Sequence, residues 1–171
     1  MIISFPGNLF LLSLAKNIEK ESKKLYDMKA LFAGSFDPFT IGHKDIIDRA
    51  LPLFDYIIIG IGYNVSKSYM YSSEEIASNI RRIFADEPKV EVKIYSGLTV
   101  DFARHEGVDC FLRSVRSVKD FEYERDLAET NRHLSGIETL LLFSSPEYSH
   151  ISSSTVRELI GYGKDVSSFL P

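Results

Sequence analysis

Four groups of residues in this 171-residue sequence carry the types and spacings that phosphate chemistry uses. The first is Thr40 to His43, inside the stretch "LFAGSFDPFTIGHKDII". Thr40 is a good helix N-cap, and Thr40 and His43, three apart, can lie on one face of the helix that follows. A helix N-terminus offers unpaired N–H groups and a partial positive charge, so it is a ready phosphate site that His43 would face. Upstream, Gly34 allows a sharp turn and close approach of a ligand to the backbone. Ser35 adds a hydroxyl, and Asp37-Pro38 signals a turn. The second group is Arg113 and Arg116 in "LRSVR", two guanidinium forks that match phosphate bidentately. The third is Ser152 to Thr155, a run of hydroxyl residues where a helix begins. Capping explains one or two of them, and the whole run suggests a second phosphate cradle. The fourth is Lys67 in "NVSKS". Each group also has a plainer account: an ordinary strand–turn–helix joint, surface cations matched to Asp120 and Glu122, N-caps, and a solvated lysine.

These residues need elements to hold them. Apolar runs suited to buried strands occur at Ala30–Ala33, Tyr56–Ile61, Val90–Tyr95, Asp109–Leu112 and Thr139–Phe143. Helical stretches alternate with them at His43–Phe54, Ser73–Ala85, Leu98–Glu106, Val118–Leu134 and Ser154–Tyr162. The run "YIIIGIG" is apolar on both faces, as a central parallel strand covered by helices requires. Ser72 and Glu75 have the spacing of a capping box. Strict alternation predicts an α/β fold with a doubly wound, five-stranded parallel sheet. In such sheets ligands bind beyond the carboxyl ends of the strands. All four groups follow strands in the sequence.

Bulk properties narrow the function classes. An apolar fraction of 44% and a charged fraction of 26% are ordinary for a globular domain. A net charge of −4 argues against a nucleic-acid partner. No apolar run reaches the ~20 residues a membrane-spanning helix needs. The single cysteine, Cys110, excludes an intramolecular disulfide and fits a reducing, cytoplasmic setting. Residues 1–28 read as an N-terminal extension, helical from about Leu9 to Tyr26, ahead of a domain at 29–171. The first lysine is Lys16, so the extension lacks the basic start of a secretory signal. No nucleophile–base pair stands out, which points to direct transfer without a covalent enzyme intermediate.

"GSFDPFTIGH" resembles the T/H-x-G-H signature of the nucleotidylyltransferase superfamily, and so implies its Rossmann-like fold. "NVSKSYMYS", "FLRSVRSVKDFEYERDLAETNRHL", "ISSSTVRELI" and "DVSSFLP" resemble, in order, the motifs of bacterial phosphopantetheine adenylyltransferases. The resemblance runs from about Lys29 to Pro171, and implies adenylyl transfer from ATP to 4′-phosphopantetheine, giving dephospho-CoA and pyrophosphate. By resemblance, His43, Lys67 and Arg116 are catalytic. Ser35, Lys67, Thr99 and Arg113 contact the pantetheine substrate. Ser35, Phe36, His43, Ser114, Val115, Arg116, Glu124 and the run Tyr148, Ser149, His150, Ile151, Ser152, Ser153 and Ser154 contact ATP. Tyr148 has an aromatic face that could stack on adenine. The resemblance also implies Mg²⁺ accompanying ATP with no dedicated protein metal ligands, a homohexamer, and CoA as a feedback inhibitor. Two departures stand out. Ser114 replaces the family glycine, and the family continues past "FLP" into another helix where this sequence ends at Pro171. Two rival readings are a nucleotidyltransferase with another phosphate acceptor and a non-catalytic nucleotide-binding module.

Overall fold

The segment "YIIIGIGY" becomes the strand Tyr56–Tyr63, with Ile57 to Ile61 buried on both faces of the sheet. The computed structural model describes residues 27–64, 66 and 68–171. Five strands form one sheet: β1 (Lys29–Gly34), β2 (Tyr56–Tyr63), β3 (Val90–Ser96), β4 (Cys110–Val115) and β5 (Glu138–Phe143). Their order is β3-β2-β1-β4-β5 and every pairing is parallel. Helices α1 (Ile41–Ala50), α2 (Ser73–Ile83), α3 (Thr99–Glu106), α4 (Val118–Ser135) and α5 (Ser153–Gly161) alternate with the strands. This is the expected doubly wound, Rossmann-like α/β fold.

Strand alternation splits the core in two. Ala30, Phe32, Ile57, Ile59 and Ile61 face Ile46 and Ile47 of α1 and Ile76 and Ile80 of α2. Leu31, Ala33, Ile58 and Phe111 face Val100 and Ala103 of α3 on the opposite side. Because both faces are covered, the central strands read as unbroken apolar runs rather than alternating ones.

Most element ends fall within two residues of expectation, and the larger shifts have physical causes. Helix α1 was expected at His43–Phe54 but begins at Ile41, because Thr40 is its N-cap, and ends at Ala50. Leu51, the C-cap, keeps helical geometry and donates to the Ile47 carbonyl at 2.9 Å, but Pro52 after it has no N–H with which to continue the ladder. Strand β4 extends three residues beyond Leu112, paired with β5 as far as Val115 and Phe143. Arg113 and Ser114 therefore lie on the strand itself rather than in the loop after it. Ser72 and Glu75 do form the expected capping box, with Ser72 N–H donating to Glu75 Oε2 at 2.8 Å and Glu75 N–H donating to Ser72 Oγ at 3.2 Å. The helix expected at 9–26 lies outside the described residues.

Strand order reverses between β1 and β4. That switch point leaves a crevice above their carboxyl ends, because the connections leaving the two strands diverge to opposite sides.

Candidate active site

A cleft of about 300 Å³ occupies this crevice. Residues from three connections line it: Thr40, Gly42 and His43 after β1; Ser114, Arg116, Asp120, Tyr123 and Glu124 at the end of β4 and the start of α4; and Ser144, Tyr148 and Ile151 to Ser154 after β5. A larger cleft of about 660 Å³ lies over the ends of β2 and β3, walled by Tyr63, Tyr69, Tyr71 and Tyr95. Its described lining contains no arginine, lysine or histidine, so the smaller cleft is the better phosphate site.

His43 is fixed on two sides. It is the third residue of α1, and its Nδ1 accepts from the Thr40 N–H at 3.0 Å while its own N–H reaches Thr40 Oγ1 at 3.4 Å. A histidine thus completes a capping box in which glutamate or glutamine is usual. The rings of Phe32, Phe36 and Phe39 surround the imidazole at centroid separations of 6.2, 5.2 and 5.3 Å. Burial, and next the positive charges of Arg116 and Arg113, lower the His43 pKa from 6.5 to about 4. The ring is neutral at physiological pH. With Nδ1 committed as an acceptor, the proton sits on Nε2, which becomes a hydrogen-bond donor.

This packing explains the residues upstream. A Cβ on Gly34 would meet the Phe36 ring at 3.0 Å, so the glycine makes room for that ring to fold back. Phe36 adopts φ 49°, unusual for a residue other than glycine. Its side chain is buried, leaving only its backbone for a nucleotide. Ser35 is exposed and stands outside the cleft lining.

The two arginines differ. Arg113 donates from Nε and Nη2 to Glu124 at 2.7 Å each, and from Nη1 to the Ala33 carbonyl at 2.5 Å. Both partners of this bidentate pair are largely buried, and the pair fastens β4 to α4 and to the end of β1. Arg116 is more open. Its Nε donates to Asp120 at 2.9 Å and its Nη1 to the Ile151 carbonyl at 3.3 Å. Arg116 therefore bridges the β4 and β5 connections across the cleft floor.

The hydroxyl run after β5 has internal duties. Ser152 caps α5, accepting from the Thr155 N–H at 3.0 Å, and its hydroxyl meets Thr155 Oγ1 at 2.8 Å. Ser153 Oγ donates to the Pro38 carbonyl at 2.8 Å, and Ser154 Oγ accepts from Arg157 at 3.2 Å. The hydroxyls hold the α5 N-terminus in place, and the helix start carries the electrostatic attraction for an anion.

Of the expected site residues, His43, Ser114, Arg116, Glu124, Tyr148, Ile151, Ser152, Ser153 and Ser154 line one cleft. Val115 is buried, so it too offers only backbone. Ser149 and His150 are exposed and absent from the lining. Thr99 stands at the start of α3, bonded to Tyr95 Oη at 2.8 Å, away from the cleft. Lys67 lies outside the described residues. Asp120 and Tyr123 were missed. They lie four and one places before Glu124, so Asp120, Tyr123 and Glu124 share a helical face, a signal the sequence carried.

Comparison with known proteins fits this geometry. Residues 31–159 match the family described as cytidylyltransferase-like. The phosphopantetheine adenylyltransferase of Porphyromonas gingivalis is 55% identical over 142 residues, covering 83% of this chain and 93% of that protein. Those of Flavobacterium psychrophilum and Bacteroides fragilis are 51% and 48% identical over 143 residues, each covering 84% of this chain and 95% of theirs. The chain belongs to the phosphopantetheine adenylyltransferase family. In three dimensions it resembles a bifunctional NMN adenylyltransferase/ADP ribose pyrophosphatase from Francisella tularensis, solved with AMP and a manganese ion (TM-score 0.62, 14% identity). That match covers 84% of this chain and 44% of the other, and concerns the fold alone.

Proposed function

We propose that this chain transfers the adenylyl group of ATP to 4′-phosphopantetheine, forming dephospho-CoA and releasing pyrophosphate. The observation that carries the reading is the convergence of a neutral histidine donor, an arginine and two helix N-termini on one cleft at the switch point. An acceptor phosphate oxygen attacks the α-phosphorus of ATP in line, and the bond to the leaving pyrophosphate breaks. The obstacle is bringing two polyanions together. His43 Nε2–H donates to the α-phosphate as charge builds on its oxygens, without having to surrender a proton. Arg116 and the α5 N-terminus hold the β- and γ-phosphates. Arg113, locked by Glu124, supplies fixed positive charge beside the acceptor, and Lys67 contacts both substrates' phosphates. The one cysteine, Cys110, is buried at the amino end of β4, far along the strand from the cleft, which supports direct transfer.

Among the described residues no three His, Cys, Asp or Glu side chains converge as a metal cage. Asp120 and Glu124, the cleft carboxylates, are engaged by arginines. A cation that takes most of its ligands from the triphosphate suits this lining, with Arg116 and the α5 N-terminus holding the triphosphate that holds the ion. Mg²⁺ held with the triphosphate in that way would supply charge neutralisation for the departing pyrophosphate.

We further infer that residues 29–171 carry the activity, in the cytoplasm and as a homohexamer, with CoA as feedback inhibitor. Among the described residues, no helix is long and apolar enough to cross a membrane. The test is to incubate ATP and Mg²⁺ with 4′-phosphopantetheine, and with a panel of other phosphorylated acceptors, using the chain with and without residues 1–27. Dephospho-CoA formation by both forms is expected. Pyrophosphate release with another acceptor but not this one refutes the substrate, and ATP binding without release for any acceptor refutes the enzyme.

A further inference from the structure

Asp37 lies in the first motif, where the pair Asp37-Pro38 reads as a local turn signal. An aspartate in that role usually accepts from backbone about two residues on. Asp37 does something else. Its side chain is 4% exposed, and its two carboxylate oxygens reach across to another connection. Oδ2 accepts from the Met70 N–H at 2.9 Å and Oδ1 from the Tyr71 N–H at 3.1 Å. These donors lie 33 and 34 residues further along the chain, just before the Ser72 cap of α2. A buried carboxylate is costly unless its oxygens are satisfied, so this contact is specific rather than incidental.

The same short segment is tied in a second direction. Arg157 of α5 donates to the Asp37 carbonyl, with Nη1 3.9 Å from Oδ2, and Ser153 donates to the carbonyl of Pro38. Three connections thus meet at residues 37 and 38: the one carrying Thr40 and His43, the one leading from β2 into α2, and the start of α5. Met70 and Tyr71 are themselves over a third exposed, so their own packing restrains them little.

We propose that Asp37 is a positioning residue of the acceptor side: it fixes residues 70 and 71, three and four places after Lys67, against the loop that presents His43. The inference rests on the reading of Lys67 as a phosphate contact. Asp37 touches no reacting atom. It acts by setting the β2–α2 connection relative to the cleft, and misplacement by about 1 Å at such a site can cost on the order of 10²-fold in rate.

A double-mutant cycle on the full chain tests this. Asp37→Asn keeps the shape but puts an amide N–H against a backbone N–H. Expected for this variant is a loss of about 10²-fold in kcat/KM for 4′-phosphopantetheine, with KM for ATP within about 3-fold of wild type. Lys67→Ala alone is expected to be strongly impaired. In the Lys67→Ala background, Asp37→Asn should then change kcat/KM by less than about 3-fold. A full, additive loss in that background overturns the positioning role while leaving Lys67 intact as a contact. Near-normal turnover by Lys67→Ala overturns the reading of Lys67, and the proposal with it. If Asp37→Asn fails to fold, Asp37→Glu, which keeps the charge but displaces the oxygens, runs through the same cycle with the same expected non-additivity.

Discussion

Replacing His43 with alanine removes a catalytic donor and a structural fixture together, and the two can be read separately. The Thr40 N–H loses its acceptor at 3.0 Å in a buried position, which costs about 1 kcal/mol. The contacts to Phe36 and Phe39 at 5.2 and 5.3 Å also go, at about 0.5–1.5 kcal/mol each. Together these predict a destabilisation of roughly 2–4 kcal/mol at pH 8, or about 4–16 °C in Tm for a chain of this size. The pH dependence sharpens the test. His43 has a folded pKa of about 4, against an unfolded value of about 6.5. As pH falls below 6.5 the unfolded chain takes up the proton first, so this contribution to stability is present above pH 6.5 and drains away towards pH 4. Between pH 8 and pH 5 the wild-type protein should lose about 2 kcal/mol that the alanine variant never had. The gap between the two should therefore shrink by about 2 kcal/mol, to about 2 kcal/mol or less at pH 5. Urea unfolding of both proteins at the two pH values measures it. Turnover at pH 8 should fall about 10²–10³-fold, as for loss of one preorganised donor. A stability gap that stays constant across the pH range refutes the neutral, half-buried imidazole. Turnover near wild type refutes its place in the chemistry.

Other outcomes follow from the same geometry. Glu124→Gln breaks a bidentate, largely buried pair and should cost about 3 kcal/mol in stability together with a marked loss of kcat, measured by thermal unfolding and steady-state kinetics. Ser114→Gly removes a side chain from the cleft lining and should leave KM for ATP equal to or lower than wild type. A rise would show that the serine hydroxyl binds nucleotide. Gly60→Ala would place a Cβ 2.8 Å from Leu31 Cδ1 and 3.2 Å from the Phe102 and Tyr95 rings. It should lower stability by about 1–3 kcal/mol with little change in KM, because the clash lies in the core beneath α3.

The fold was legible because its determinants are local. Alternating apolar runs, the Ser72–Glu75 box and the two-sided burial of "YIIIGIG" all act within a few residues of themselves. Errors arose where a neighbour outranked the pattern: Pro52 cut α1 short, and pairing with β5 drew β4 out to Val115. For the site, residue types indicated phosphate chemistry and the strand-end rule indicated where. What the sequence could not show was commitment. The Ser152 to Thr155 hydroxyls are held by caps and cross-links, Arg113 is fully engaged by Glu124 and Ala33, and Asp37 serves a distant loop. The Ser152 cap onto Thr155 is local, but the bonds from Ser153 to Pro38, Arg113 to Ala33 and Asp37 to Met70 join residues 115, 80 and 33 apart in the chain, which spacing cannot show. The neutral state of His43 is of the same kind, since it depends on three phenylalanine rings and two arginines gathering around one imidazole.

The placement of β1 at the centre of the sheet has a kinetic consequence. Its join to β2 spans little chain: Met28 N–H donates to Asp55 only 27 residues on. Its join to β4 spans far more, as Lys29 N–H donates to Asp109, 80 residues away. Closing the longer span costs more chain entropy, and contacts so distant slow folding. A nascent chain can assemble β1, α1 and β2 with His43 already capped onto Thr40. Arg113, Arg116 and the α5 N-terminus come into place only when the second half docks across the β1–β4 seam. On this topology binding competence is expected to arrive last as the molecule folds, and to be lost whenever the seam opens.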